Sequence, residues 1–293
     1  MHALKLIKSA LAKGPDHLGD LVWWSLAEAR VDRVTLEVIW NEAGLPPELL
    51  PEPPSPERSF KAAIKEAQVG QQGRLIRLAV ESPDEIVFGV VREERHGDGT
   101  LDYHQEARVT LDRNRDQLSS DAPGNDLVAE VMRRFEILKT THVADDVRRA
   151  IVRTLDTLAA VMLRPSGGVY WAPSPFAAQV RRLQVAVQRI GTSTMSVLPV
   201  HRSAEAVQTL GEVARASIED ELAALRIEID GFVALPPERA TTLVRRLEVF
   251  DALRGRARLY RDVLSVEVST LDQQLNQLTA TVAQMIERKS QAA

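Results

Sequence analysis

Leu264-Ser265-Val266-Glu267-Val268-Ser269-Thr270-Leu271-Asp272-Gln273-Gln274-Leu275 decides how the C-terminal third of this 293-residue chain is read. Apolar positions in and beyond it fall at Leu264, Val268, Leu271, Leu275, Leu278, Val282 and Met285. Alternating steps of four and three keep that stripe on one helical face. Upstream the stripe continues through Leu243, Leu247, Phe250, Leu253, Ala257 and Tyr260, so the spacing predicts one unbroken helix from Pro236-Pro237 onward. A preceding helix is expected from a Ser203 cap to Gly231, with Leu210, Ala214, Ile218, Leu222, Leu225 and Ile229 on one face.

A short connection makes these two helices antiparallel neighbours. With the turn centred near Ala234, Ile229 lies opposite Arg239 and Leu222 opposite Arg246. Charge agrees with an antiparallel pair: Ala204 to Asp230 holds seven acids and two arginines, whereas Glu238 to Asp262 holds seven arginines and four acids. The second helix outlasts the first, leaving roughly 25 residues of seam, about 35 to 40 Å, without local cover. Val268, Leu271, Leu275, Leu278, Val282 and Met285 are therefore the candidate interaction residues. Self-association, or docking of a protein partner through this C-terminal helix, is the expected use of so long an apolar stripe.

Moving toward the N-terminus, Asp126 to Lys139 and Val143 to Leu163 read as amphipathic helices, the second stopped by Arg164-Pro165-Ser166-Gly167-Gly168. Val169 to Ala172 and Met195 to Val200 read as short strands on either side of a helix opened by Ser174-Pro175, a small β-α-β element. The string Gly167-Gly168-Val169-Tyr170-Trp171-Ala172-Pro173, set ahead of a Leu-Pro strand and a long helical hairpin, resembles an uncharacterised family found in phages and other mobile elements. The resemblance covers about Asp126 to Asp230 and implies a mobile-element or bacterial context; it carries no activity or functional residues. Tyr170 and Trp171 would point to opposite faces of their strand, one toward the core and the other free to line a binding surface.

Arg74 to Val80, Glu85 to Glu94 and Thr100 to Leu111 are strand signals separated by Ser82-Pro83-Asp84 and by His96-Gly97-Asp98-Gly99, an antiparallel meander preceded by a helix from Ser55-Pro56 to Gln68. Residues 45–57 hold six prolines and read as a stiff linker. Before them, three short helices are expected: one carrying Leu4, Ile7 and Leu11, one from about Asp16 to Arg30, and one from about Arg33 to Ala43 capped by Asp32. The third has Glu37 and Glu42 against Arg33, too few cations for a DNA recognition helix. Trp23 and Trp24 are consecutive, so one is expected in a core and the other under a neighbour or open to a partner.

The fold class expected is therefore α+β, predominantly helical. Its parts are a small helical unit (1–44), a Pro-rich linker (45–57), a helix with an antiparallel β-meander (58–122), a helical region with two short strands (123–202) and a long antiparallel coiled-coil hairpin (203–293).

Composition excludes several function classes. There is no cysteine, so thiolate nucleophiles, disulfides and cysteine metal sites are ruled out. The net charge of −4 is no general footprint for nucleic acid. No stretch approaches the roughly 20 apolar residues of a membrane span, and Met1 to Lys13 lacks a signal-peptide core, which makes the cytoplasm the expected location. No P-loop or His-Glu-x-x-His motif is present. His96, Asp98, Asp102 and His104 cluster around a hairpin, where solvated polar residues gather in any case, and Asp145-Asp146 reads as a helix cap. No cofactor, metal or catalytic residue is assigned. The expected function is that of a non-enzymatic interaction or assembly protein; the alternative is an accessory nucleic-acid-binding protein, with Arg148, Arg149, Arg153, Arg181 and Arg182 as its candidate contacts.

Overall fold

Val22-Trp23-Trp24 sets the first departure from that reading. The computed structural model describes residues 16–27, 29–164, 168–235, 237, 240–265 and 269–291, and in it His17–Ser25 is a strand, β1, where a second helix was expected. The reason is burial on both sides. Leu18 and Val22 are buried on one face and Leu21 is half-buried on the other, so the clean polar alternation of a surface strand is missing and the apolar spacing imitates a helix. Aromatic and β-branched side chains fit such a strand better. The helix expected over Leu4 to Leu11 lies outside the described residues.

The chain forms two compact units. One combines β1 with Ile151–Gln188 and Ser193–Ala293; the other is Leu26–Ala150 with Arg189–Thr192.

In the first unit β1 is the second strand of an antiparallel sheet ordered β10-β1-β9-β8, where β8 is Val161–Met162, β9 Tyr170–Pro173 and β10 Thr194–His201. The expected β-α-β element is thus corrected: β9 and β10 both pair with β1, which lies between them. Gly19 (φ +149°) is required at that crossing, because a Cβ would sit 2.2 Å from the Ala172 carbonyl oxygen and 2.5 Å from Trp171 Nε1. The outer edge of β10 is closed by helix α5 (Ala177–Gln188; helices are numbered in chain order, α1 to α4 being given below). Gln184 Nε2 donates to the Met195 carbonyl at 2.9 Å, Arg181 Nη1 to the Val197 carbonyl at 3.4 Å, and Pro199 has no N–H to offer.

Three helices complete this unit: α6 (Ala204–Ala234), α7 (Ala240–Leu264) and α8 (Ser269–Gln291). Here the principal expectation is overturned. The long arm is broken: α7 ends at Leu264, Ser265 takes φ +59°, and α8 packs against α7 and α6, its Leu275, Leu278 and Val282 joining one core with Ile218, Leu222, Leu225, Ile229, Leu243, Phe250 and Leu253. Among the described residues the distal apolar stripe thus packs within its own unit instead of extending as a hairpin tip. Ser, Val and Thr fill five of the six places from Ser265 to Thr270, weak helix formers at the point where the chain turns. Arg202 Nη2 caps the Val263 carbonyl at 2.7 Å. The expected register also shifts. Arg246 pairs with Glu228 at 2.7 Å and Arg256 with Glu221, placing the turn near residue 237 because α6 runs past Gly231 to Ala234. Acid on α6 still meets arginine on α7.

In the second unit α2 (Pro56–Gln68) and α3 (Asp126–Leu138) cover one face of a sheet ordered β3-β4-β5-β6, with strands Arg74–Glu81, Glu85–Arg95, Leu101–Asp112 and Gln117–Ser120. The fourth strand, β6, is not among the strands expected from the sequence. Phe60 stands edge-on to Phe88 and Phe135 at the centre of this core. The Gln68 amide occupies the free edge of β3, donating to the Arg74 carbonyl at 2.9 Å and accepting from Ile76 N–H. A two-stranded ribbon, β2 (Arg30–Asp32) with β7 (Thr141–Val143), leads into α1 (Arg33–Glu42) and α4 (Ala144–Thr157). Asp32 caps α1 through the Thr35 N–H. The stretch read as a linker is not free: Leu45, Leu49 and Leu50 are buried, and a 3-10 turn spans Pro47–Leu49.

Candidate functional site

Of the six residues expected to form an intermolecular seam, the four whose side chains are described pack within the chain itself. Leu275 and Val282 are 0% exposed and Leu278 9%, and Met285 is half-buried against the same core. Val268 and the side chain of Leu271 lie outside the described residues. A stripe that covers its own neighbours is spent on folding, so this surface is withdrawn as a docking face.

The arginines of the expected nucleic-acid strip are individually placed. In the second unit Arg148 pairs with Asp145 at 2.9 Å and Arg149 with Asp146. In the first unit Arg181 holds the buried Asp20 at 3.1 Å, Arg153 lies half a turn after the helix enters that unit, and Arg182 is exposed on α5. Arg148, Arg149 and Arg181 thus already hold a carboxylate.

Two buried polar clusters stand out. In the first unit Asp20 is fully buried, with His17 Nε2 3.5 Å from its Oδ1. Burial pushes the Asp20 carboxyl above its ordinary range, against the pull of Arg181 and then His17. In the second unit His142 is fully buried and Asp146 nearly so. Burial drives His142 toward its neutral form, while Asp146 stays below the usual carboxylate range because Arg58, the Val143 N–H and Arg149 outweigh its own burial. Asp146 is therefore a cap: its Oδ2 accepts from Val143 N at 3.1 Å in the first turn of α4. These clusters tie elements together: Arg181 of α5 to Asp20 of β1, and Arg58 of α2 to Asp146 of α4.

Around the β4–β5 hairpin, His96 meets Asp102 at 2.8 Å and Asp98 is taken up by Thr100; among the described residues no group of three His, Asp or Glu could hold a metal ion. A groove of about 300 Å³ between β6 and α3 is floored by Leu118, Met132 and Phe135. Its own Lys139 stands 5.5 Å over the Phe135 ring and 2.6 Å from Glu136, occupying the place an incoming cation would take. Both rings of the Tyr170-Trp171 pair are buried, Tyr170 stacked on Trp24 and Trp171 tilted against Tyr260, so neither lines a binding surface. Trp23, on the opposite face of β1 from Trp24, is 40% exposed.

The outer side of α6 is the surface that sequence reasoning missed. Ile218, Leu222, Leu225 and Ile229 turn inward, which places Ala223 and Ile227 on the far side of the helix. Ile227 is 73% exposed, and near the end of the helix Val233 and Leu235 are 57% and 80% exposed. Arg215, Glu219, Arg226 and Asp230 lie on this helix, exposed, with no ion pair to another described residue. The signal was present in the sequence: Ile227 breaks the inward spacing of the helix.

Across residues 17–291 the chain matches the model of a family of unknown function (DUF6744), and it belongs to that family. Over 105 residues it is 30% identical to the Sickle tail protein homolog of Homo sapiens, a similarity covering 36% of this chain and 5% of that protein. No solved structure matches the chain.

Proposed function

We propose that this member of a family of unknown function is a non-enzymatic interaction protein that docks a protein partner through the outer side of α6. The observation that carries the reading is the exposure of Ile227, a large apolar side chain left in water on a helix whose opposite face is buried, with Leu235 exposed just past the helix end. Its setting is cytoplasmic, in a phage or other mobile element, the latter resting on the resemblance around Gly167 to Pro173. An accessory nucleic-acid role has weaker support, since Arg148, Arg149 and Arg181 are engaged by Asp145, Asp146 and Asp20.

The test is the native size of the protein in extracts of the cells that produce it. The wild-type chain is expected in a species larger than its own 32.5 kDa, and Ile227→Asp with Leu235→Asp is expected to return it to that mass with its melting temperature nearly unchanged. Equal sizes for the two would overturn the reading.

A further inference from the structure

Four exposed charges along one flank of α6, between its buried face and the side that carries Ile227, form a pattern that is its own complement. Arg215, Glu219, Arg226 and Asp230 are spaced by four, seven and four residues, and eleven residues close about three helical turns, so all four share one side. About a midpoint between residues 222 and 223 their signs are opposite at equal distances: Glu219 against Arg226, then Arg215 against Asp230. A second α6 laid antiparallel across that midpoint brings Arg226 of one copy to Glu219 of the other and Arg215 to Asp230, each contact occurring twice under two-fold symmetry. A parallel pairing in register would set like charges together. Ala223, exposed beside the midpoint, leaves room for the two helices to approach.

We propose that the occupant of this face is a second copy of the chain, docked antiparallel through α6 with the Arg226–Glu219 and Arg215–Asp230 pairs setting its register. The inference rests on the docking reading above and names its partner. Exposed pairs add little affinity singly, but reversing one of them places like charges together twice in the dimer, which selects strongly against the wrong pairing.

Sedimentation of the purified full chain tests it. The wild type is expected to dimerise, and Glu219→Arg or Arg226→Glu alone to weaken the dimer by about tenfold or more. Mixing these two single variants, or combining both changes in one chain, restores opposite charges at every contact and is expected to bring association back to within about threefold of wild type. A wild type that stays monomeric when purified overturns the second-copy assignment, and a large species in cell extracts would then leave the docking reading standing. A dimer indifferent to the single changes overturns the assignment equally. Because all four side chains are exposed, circular dichroism of each variant should match the wild type, which keeps loss of association separate from loss of fold.

Discussion

Tyr260 donates its hydroxyl to the Ala159 carbonyl at 2.9 Å in the buried seam where α7 meets the sheet of its own unit. Ala159 has φ +51°, a left-handed conformation that a non-glycine residue keeps only when its surroundings hold it there. Burial pushes the Tyr260 phenol up to about 12, with Arg256 pulling the other way. Because the folded value exceeds the ordinary value near 10, the contribution to stability is intact below about pH 10 and is lost as pH rises toward 12, a span worth on the order of 2–3 kcal/mol. Tyr260→Phe should lower stability at neutral pH by roughly 1–3 kcal/mol through the orphaned carbonyl and should flatten that alkaline loss. Urea unfolding of both proteins at pH 8 and pH 11 checks this; an equally steep loss in the variant would contradict it. Residue-scale logic of this kind was partly legible in the sequence. The acids at Asp145-Asp146 were readable as a cap from their place in a first turn. The carbonyl beneath Tyr260 was not, since nothing local marks a contact across a hundred residues of chain.

Elements were legible where one face is dry and the other wet. The strands of the second unit follow hairpin signals that water itself enforces, and α2 and α3 show their inward residues at helical spacing. β1 was not legible, because a strand buried on both faces loses the alternation that identifies it. The arm after Leu243 failed for a different reason. Two helices that fold back on each other bury the same stripe as one straight helix, so an unbroken apolar repeat cannot report a turn; only the weak helix formers between Ser265 and Thr270 do. The consequence is measurable. With Leu275 inside the bundle, Leu275→Ala should cost about 2–5 kcal/mol of stability. A seam reserved for another molecule would lose association instead and leave unfolding of the separated chain unchanged. Denaturant melts that move by less than about 0.5 kcal/mol would contradict the closed bundle.

At the scale of the whole molecule, each unit has its own core and its own capped sheet edge, Gln68 on β3 in one and α5 on β10 in the other. With those edges closed and the described part of the terminal helix folded in, α6 still offers the strongly exposed Ile227, 73% open to water, beside charges that hold no ion pair to another described residue. The candidate site expected from sequence and the one assigned here are both on the C-terminal helices, yet they are different faces. Burial removed the first, and the second was marked in the sequence by Ile227 alone, an apolar residue off the inward spacing with Ala223 and Ala224 beside it. The most direct measurement is photo-crosslinking from a reactive amino acid placed at position 227, compared with one at the exposed hairpin position 100. The account predicts an adduct of twice 32.5 kDa from position 227 and none from position 100; no adduct from 227, or equal yields from both, would contradict it.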